Sequence, residues 1–194
     1  MLLRKRKPMC FLLVCILIFT SLQVGAQLTV NTSITPNNLV QNVLVGEGVT
    51  ISNVTFQGSQ GSLSAIGQFQ TGATPTNLGL SSGIVIGTGA VNNTIGSPAS
   101  NFASSSLGTG GYSLLTNIAG TTTYDAAILQ FNFVPQSDTI KFRYVFGSEE
   151  YHEFVNSTFN DAFGFFITGP NPVGPAYNNR NIALIPSTNI PVTI

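Results

Sequence analysis

The residues best placed to do chemistry are crowded into one short stretch, Ser148-Glu149-Glu150-Tyr151-His152-Glu153-Phe154-Val155-Asn156-Ser157-Thr158-Phe159-Asn160-Asp161. Four of the chain's seven acidic residues (Glu149, Glu150, Glu153, Asp161) fall here, with amide oxygens on Asn156 and Asn160 and no Lys or Arg among them. Like charges this close repel, and Glu149 and Glu153 would face each other at i, i+4 if the segment turned helical. A bound cation is one way to offset that repulsion. An all-oxygen donor set suits Ca2+, a hard ion that takes about six to eight oxygen ligands. Zinc or iron would want imidazole or thiolate, and His152 is the sole histidine. The candidate ligands are therefore Glu149, Glu150, Glu153, Asn160 and Asp161, with Asp125 as a distant sixth. The competing reading is a solvated acidic loop with Tyr151 and Phe154 packed, since the stretch lacks the spacing of an EF-hand.

Other chemistry is less well supported. His152 beside glutamates has the makings of a general base, but no Gly-x-Ser-x-Gly elbow supplies it with a nucleophile. A glycosidase needs two carboxyls about 5 to 9.5 Å apart across a cleft. Glu150 with Asp161, or Asp125 with Glu153, are the pairs that could meet in that way. The chain has no tryptophan to stack on a sugar ring. Four Asn-x-Ser/Thr sequons, at Asn31, Asn53, Asn92 and Asn156, are what chance gives in a sequence this rich in those residues.

Stepping outward, Arg4-Lys5-Arg6-Lys7 precede an unbroken apolar run from Met9 to Phe19, and Val24-Gly25-Ala26 closes with small residues. This is the pattern of a secretory signal peptide over 1–26, cleaved after Ala26. Its apolar run is shorter than the roughly 17 to 25 residues of a membrane-spanning helix. Residues 27–194 then hold three basic residues (Lys141, Arg143, Arg180) against seven acidic ones, a net charge of −4. Three cations make no nucleic-acid footprint. Cys10 and Cys15 leave with the signal, which excludes a disulfide, a thiolate metal site and a cysteine nucleophile from the remainder.

The elements that must hold the acidic loop read as strands. Short alternating or apolar runs rich in Val, Ile, Phe and Thr are separated by Gly, Asn, Ser and Pro, and helical periodicity is almost absent. Val49, Ile51, Val54 and Phe56 predict a strand with one irregular step. Gly83 to Val91, Ala126 to Val134 and Asn181 to Ile185 predict three more. Two strands flank the loop: Thr139 to Gly147, with Ile140, Phe142, Tyr144 and Phe146 on one face, and Ala162 to Thr168, with Phe163, Phe165 and Ile167. The Ser/Gly/Asn-rich stretch 92–111 is expected to be a mobile surface loop. Many short strands with turn chemistry between them predict an all-β fold, an antiparallel β-sandwich of jelly-roll type. Because Ile190 to Ile194 reads as the start of a strand, that sandwich is expected to be incomplete at the C-terminus.

Phe142-Arg143-Tyr144-Val145-Phe146-Gly147-Ser148-Glu149-Glu150-Tyr151, followed by Phe159-Asn160-Asp161-Ala162-Phe163-Gly164-Phe165-Phe166-Ile167-Thr168-Gly169-Pro170, resembles the choice-of-anchor L family. The likeness runs upstream through Leu39-Val40, Gly48-Val49, Gly83-Ile84-Val85 and Asp125-Ala126-Ala127, and downstream through Asn181 to Pro186 and Pro191-Val192. It implies an exported bacterial surface protein that carries its anchor in further C-terminal domains. Similar proteins of the Bacteroidetes often end in a type IX secretion sorting domain. No catalytic residues come with the family, and its Ser-Glu-Glu-Tyr and Asn-Asp elements coincide with the acidic loop.

The expectation is a non-enzymatic secreted or cell-surface module spanning 27–194, for adhesion or ligand binding. Ca2+ would stiffen its acidic loop, and its partner would be an extracellular glycan or surface protein rather than nucleic acid. The alternatives are a jelly-roll glycoside hydrolase or polysaccharide lyase using the loop carboxylates, and a purely structural spacer.

Overall fold

The computed structural model describes residues 28–194 except 47, 61–62, 73–75, 95–104, 151–153, 156 and 158. The expected signal sequence, half of the 92–111 stretch, and Tyr151, His152, Glu153, Asn156 and Thr158 of the acidic loop thus lie outside the described residues. The fold is all-β and sandwich-like, built from antiparallel pairs with two short helices.

The buried centre gathers on β3 (Ile66–Thr71), which lies between β1 (Leu28–Asn31) and β4 (Ser82–Ile86) in a three-stranded sheet. Register pairs Val30 with Phe69 and Phe69 with Gly83. Gly83 is needed there, because a Cβ would stand 2.9 Å from the Phe69 ring. Against this sheet packs α1 (Pro36–Leu39). Its start follows from Thr35-Pro36: the Thr35 hydroxyl accepts from Asn38 N at 3.3 Å, and proline sits where no N–H is needed. The helix loosens into a π-turn over Val40–Leu44, and Leu39 and Val40 at the junction are fully buried. Ser64, a buried polar side chain in this centre, is satisfied, its Oγ donating to Ile66 O at 2.7 Å.

A second pair, β2 (Val49–Gln57) with β5 (Ile128–Pro135), carries the irregular step expected from sequence. The register slips between Ser52 and Thr55, and Asn53 takes a φ of +53°, the left-handed region that asparagine tolerates better than most residues. Of the remaining expected strands, Gly83 to Val91 proves shorter (β4). Asn181 to Ile185 keeps only Asn181, at the end of β8 (Tyr177–Asn181), with a bridge from Leu184 to Pro191.

The two strands expected to flank the acidic loop depart from expectation in an instructive way. Ala162 to Thr168 is broken at Gly164-Phe165 into β6 (Ala162–Phe163), which pairs with β9 (Val192–Thr193), and β7 (Phe166–Gly169), which pairs with β8. Thr139 to Gly147, the clearest alternation in the sequence, joins no ladder among the described residues. Its side chains nevertheless sort as the alternation requires: Phe142 lies 4.5 Å from the Phe165 ring, and Tyr144 lies 5.1 Å and Phe146 6.3 Å from Phe163. Alternation reports which face is buried, while a ladder needs a neighbouring backbone in register. The second helix, α2 (Ser113–Ala119), went unforeseen; it ends on Gly120 at φ +71°, a left-handed cap. No helix among the described residues is long and apolar enough to cross a membrane.

Candidate functional site

The acidic loop starts where the 139–147 segment ends and returns into β6, so the aromatic contacts beneath those two segments bring its ends together. Ser148 organises the entry. Its Oγ donates to the Glu150 carboxylate at 2.8 Å and accepts from Glu150 N at 3.1 Å. This two-residue turn is one that serine forms readily, because its hydroxyl can both donate and accept. The chain then turns through Phe154 N to Glu150 O at 2.9 Å and Ser157 N to Phe154 O at 2.9 Å. Phe154 and Phe159 close edge-to-face at 5.4 Å, a packed pair at the base of the loop.

Across this closure, Asp161 meets Glu150. The two carboxyls stand close enough to act on one another's ionisation, and the Ser148 hydroxyl that bonds Glu150 lies close enough to act on Asp161 as well. Two carboxylates this close do not ionise independently, so below about pH 6 the pair holds a proton that an isolated aspartate would have released. Partial burial is the larger cause that pushes Asp161 up to about 6, with the Glu150 and Glu149 charges adding and the Ser148 hydrogen bond opposing. Burial also works against ionisation of Glu150. There the hydrogen bonds from Ser148, Asp161 and its own backbone N–H win, and its pKa is lowered. Asp161 is therefore the acid of the pair and Glu150 the carboxylate.

The six residues singled out from sequence do not all converge. Glu150 and Asp161 approach one another, and the charge of Glu149 reaches Asp161. Glu153 lies outside the described residues. Asn160 is committed to the fold: its Nδ2 donates to Ala119 O at 3.0 Å, and its Oδ1 accepts from Ile194 N at 3.2 Å. It thus pins the end of α2 and the residue after β9 to the root of the loop. Asp125 works elsewhere, accepting from Thr109 N at 2.8 Å and from the Ser106 hydroxyl at 3.1 Å, at a φ of +50°. Among the described residues no three His, Cys, Asp or Glu side chains are grouped to hold a metal ion. Ser148 is the functional side chain that the sequence reading passed over, although its Ser-x-Glu spacing is that of a hydroxyl turn onto a carboxylate.

The model of the choice-of-anchor L domain matches residues 28–194. No curated protein and no solved structure matches the chain. With the match running from the first described residue to the last, the chain belongs to the choice-of-anchor L domain family and is a surface-associated module.

Proposed function

We propose that this chain is a secreted, non-enzymatic cell-surface module for adhesion or ligand binding, whose loop at 148–161 closes on a calcium ion. The observation that supports the reading is the approach of Glu150 and Asp161, a carboxyl pair eleven residues apart in sequence, gathered by Ser148 and facing the charge of Glu149. A divalent cation at that point takes the place of the shared proton, and the repulsion that drives proton uptake becomes ligand charge for the metal. Glu149 and Glu153 are the further carboxylates within the same stretch. Calcium would then hold the entry and exit of the loop together and stiffen it for contact with a glycan or a surface protein.

The same approach argues against Glu150 and Asp161 as a glycosidase pair. Carboxyls this close leave no room for a scissile bond, which calls for about 5 to 9.5 Å between them. The protein applied to a glycan array with calcium and with EDTA tests the reading. Calcium-dependent retention without product is the expected result, and sugars released into solution would replace it with a hydrolase or lyase.

A further inference from the structure

The segment from Ile140 to Gly147 forms no helix or strand, yet Phe142, Tyr144 and Phe146 alternate onto Phe165 and Phe163 as in a strand, and among the described residues its backbone N–H and C=O groups bond to no neighbour. Unpaired strand edges are templates for another chain, and natural proteins usually shield them. Here the edge is open and lies beside an apolar cleft of about 510 Å³, walled by Leu78, Leu80, Tyr144, Val145, Leu184 and Ile185. Several of these side chains are held out to solvent: Leu78 is 37% exposed, Tyr144 42%, Val145 54% and Ile185 42%. Large apolar residues exposed singly are ordinary, but a group of them around one cleft marks an interaction site.

Charge narrows the partner. Lys141 and Arg143 project from this segment, and they are two of the three basic residues after Ala26. Among the described residues no carboxylate lines this cleft, and Lys141 borders a neighbouring one of about 440 Å³. Arg143 donates one hydrogen bond, to Gly79 O at 2.7 Å, and a guanidinium has five donors. The edge is thus a cationic, apolar strip on an otherwise acidic chain. A strand laid along it would alternate in the same sense, with apolar side chains over the Phe142 and Tyr144 face and acidic ones beside Lys141 and Arg143.

We propose that the open edge of residues 140–147, with its apolar cleft, docks an extended peptide in which apolar and acidic residues alternate. Main-chain hydrogen bonds to the edge supply affinity, and the alternating side chains supply selectivity. The site shares no residue with the 148–161 loop, so its failure and the failure of the calcium reading are separable.

The test is fluorescence anisotropy of the intact protein, in EDTA, with a labelled eight-residue peptide alternating valine and glutamate. Two controls accompany it: the same peptide N-methylated on alternate amides, and one alternating valine and lysine. Saturable binding of the first is expected, with N-methylation weakening it about tenfold or more through lost backbone bonds. Lys141→Glu with Arg143→Glu should weaken it about tenfold. Should that pair lose its cooperative melt, Lys141→Gln alone should weaken binding about two- to fivefold. Equal binding of all three peptides, or none at about 1 mM, overturns the proposal. Self-association that the same substitutions abolish and the glutamate peptide does not displace also overturns it, by making the edge a contact between copies of this chain.

Discussion

Replacing Asp161 by asparagine should change how stability depends on pH, by an amount that follows from the geometry. In the folded chain the Asp161 pKa is raised from 3.8 to about 6. Between about pH 4 and 6 the folded state therefore keeps a proton that the unfolded chain has released, and stability falls as pH rises through that window. At about 1.4 kcal/mol per pH unit, a fully buried carboxyl would lose about 3 kcal/mol. Asp161 is only part-buried, so solvent screening cuts the figure to about 1–2 kcal/mol. Glu150 shifts the other way, so its contribution is present above 4.5 and is lost as pH falls below that toward its lowered folded value, at the acid end of the window. Asparagine cannot ionise, so Asp161→Asn should become more stable relative to the parent by about 1–2 kcal/mol between pH 4 and pH 7. Urea denaturation of both proteins at unit pH steps in EDTA reads the difference, with every titration except that of the neighbouring Glu150 common to the two curves. A difference that does not vary with pH would mean that Asp161 ionises as an ordinary surface aspartate, and the shared proton would have to be abandoned.

Three further outcomes follow from the packing. Asn160→Ala removes the bonds to Ala119 O and Ile194 N and should cost about 1–3 kcal/mol, with faster amide exchange at the end of α2 and in β9. Leu39→Ala, at a fully buried site, should cost about 2–5 kcal/mol in denaturant unfolding, whereas Val173→Ala on the exposed β7–β8 turn should stay within about 0.5 kcal/mol. Gly111→Ala would press a Cβ into the Thr123 carbonyl and should lower stability by about 1–3 kcal/mol, read as a fall in Tm.

How far the sequence foretold this depends on what each pattern encodes. Alternation placed Phe142, Tyr144 and Phe146 on one face, against Phe165 and Phe163, and put β2, β5 and β6 close to where they lie, because period-two sidedness is a local property. It said nothing of backbone pairing, which depends on a neighbour distant in sequence, and so the 139–147 segment was expected in a ladder it does not join. β3 escaped notice because Gly67 interrupts the apolar pattern of Ile66 and Phe69, although it is the most buried strand. α2 spans barely two turns, too short for Leu114, Leu115 and Ile118 to establish a period. The acidic cluster was legible from composition alone. That Glu150 would meet Asp161 across the loop, while Asn160 turned away to bind Ala119 and Ile194, depended on tertiary closure that no spacing encodes.

Thermal melting of the protein in calcium and then in EDTA, at pH 7.5, bears most directly on the central claim. A cation bound only by the folded state, at about 100 times its dissociation constant, should stabilise by about 2.7 kcal/mol, or roughly 5–10 °C for a domain of this size. The account predicts that rise in the parent and its loss in Glu150→Gln and Asp161→Asn. A cooperative melt that ignores both calcium and EDTA would contradict it, and would leave the Glu150–Asp161 pair as a proton-sharing clasp on a solvated loop.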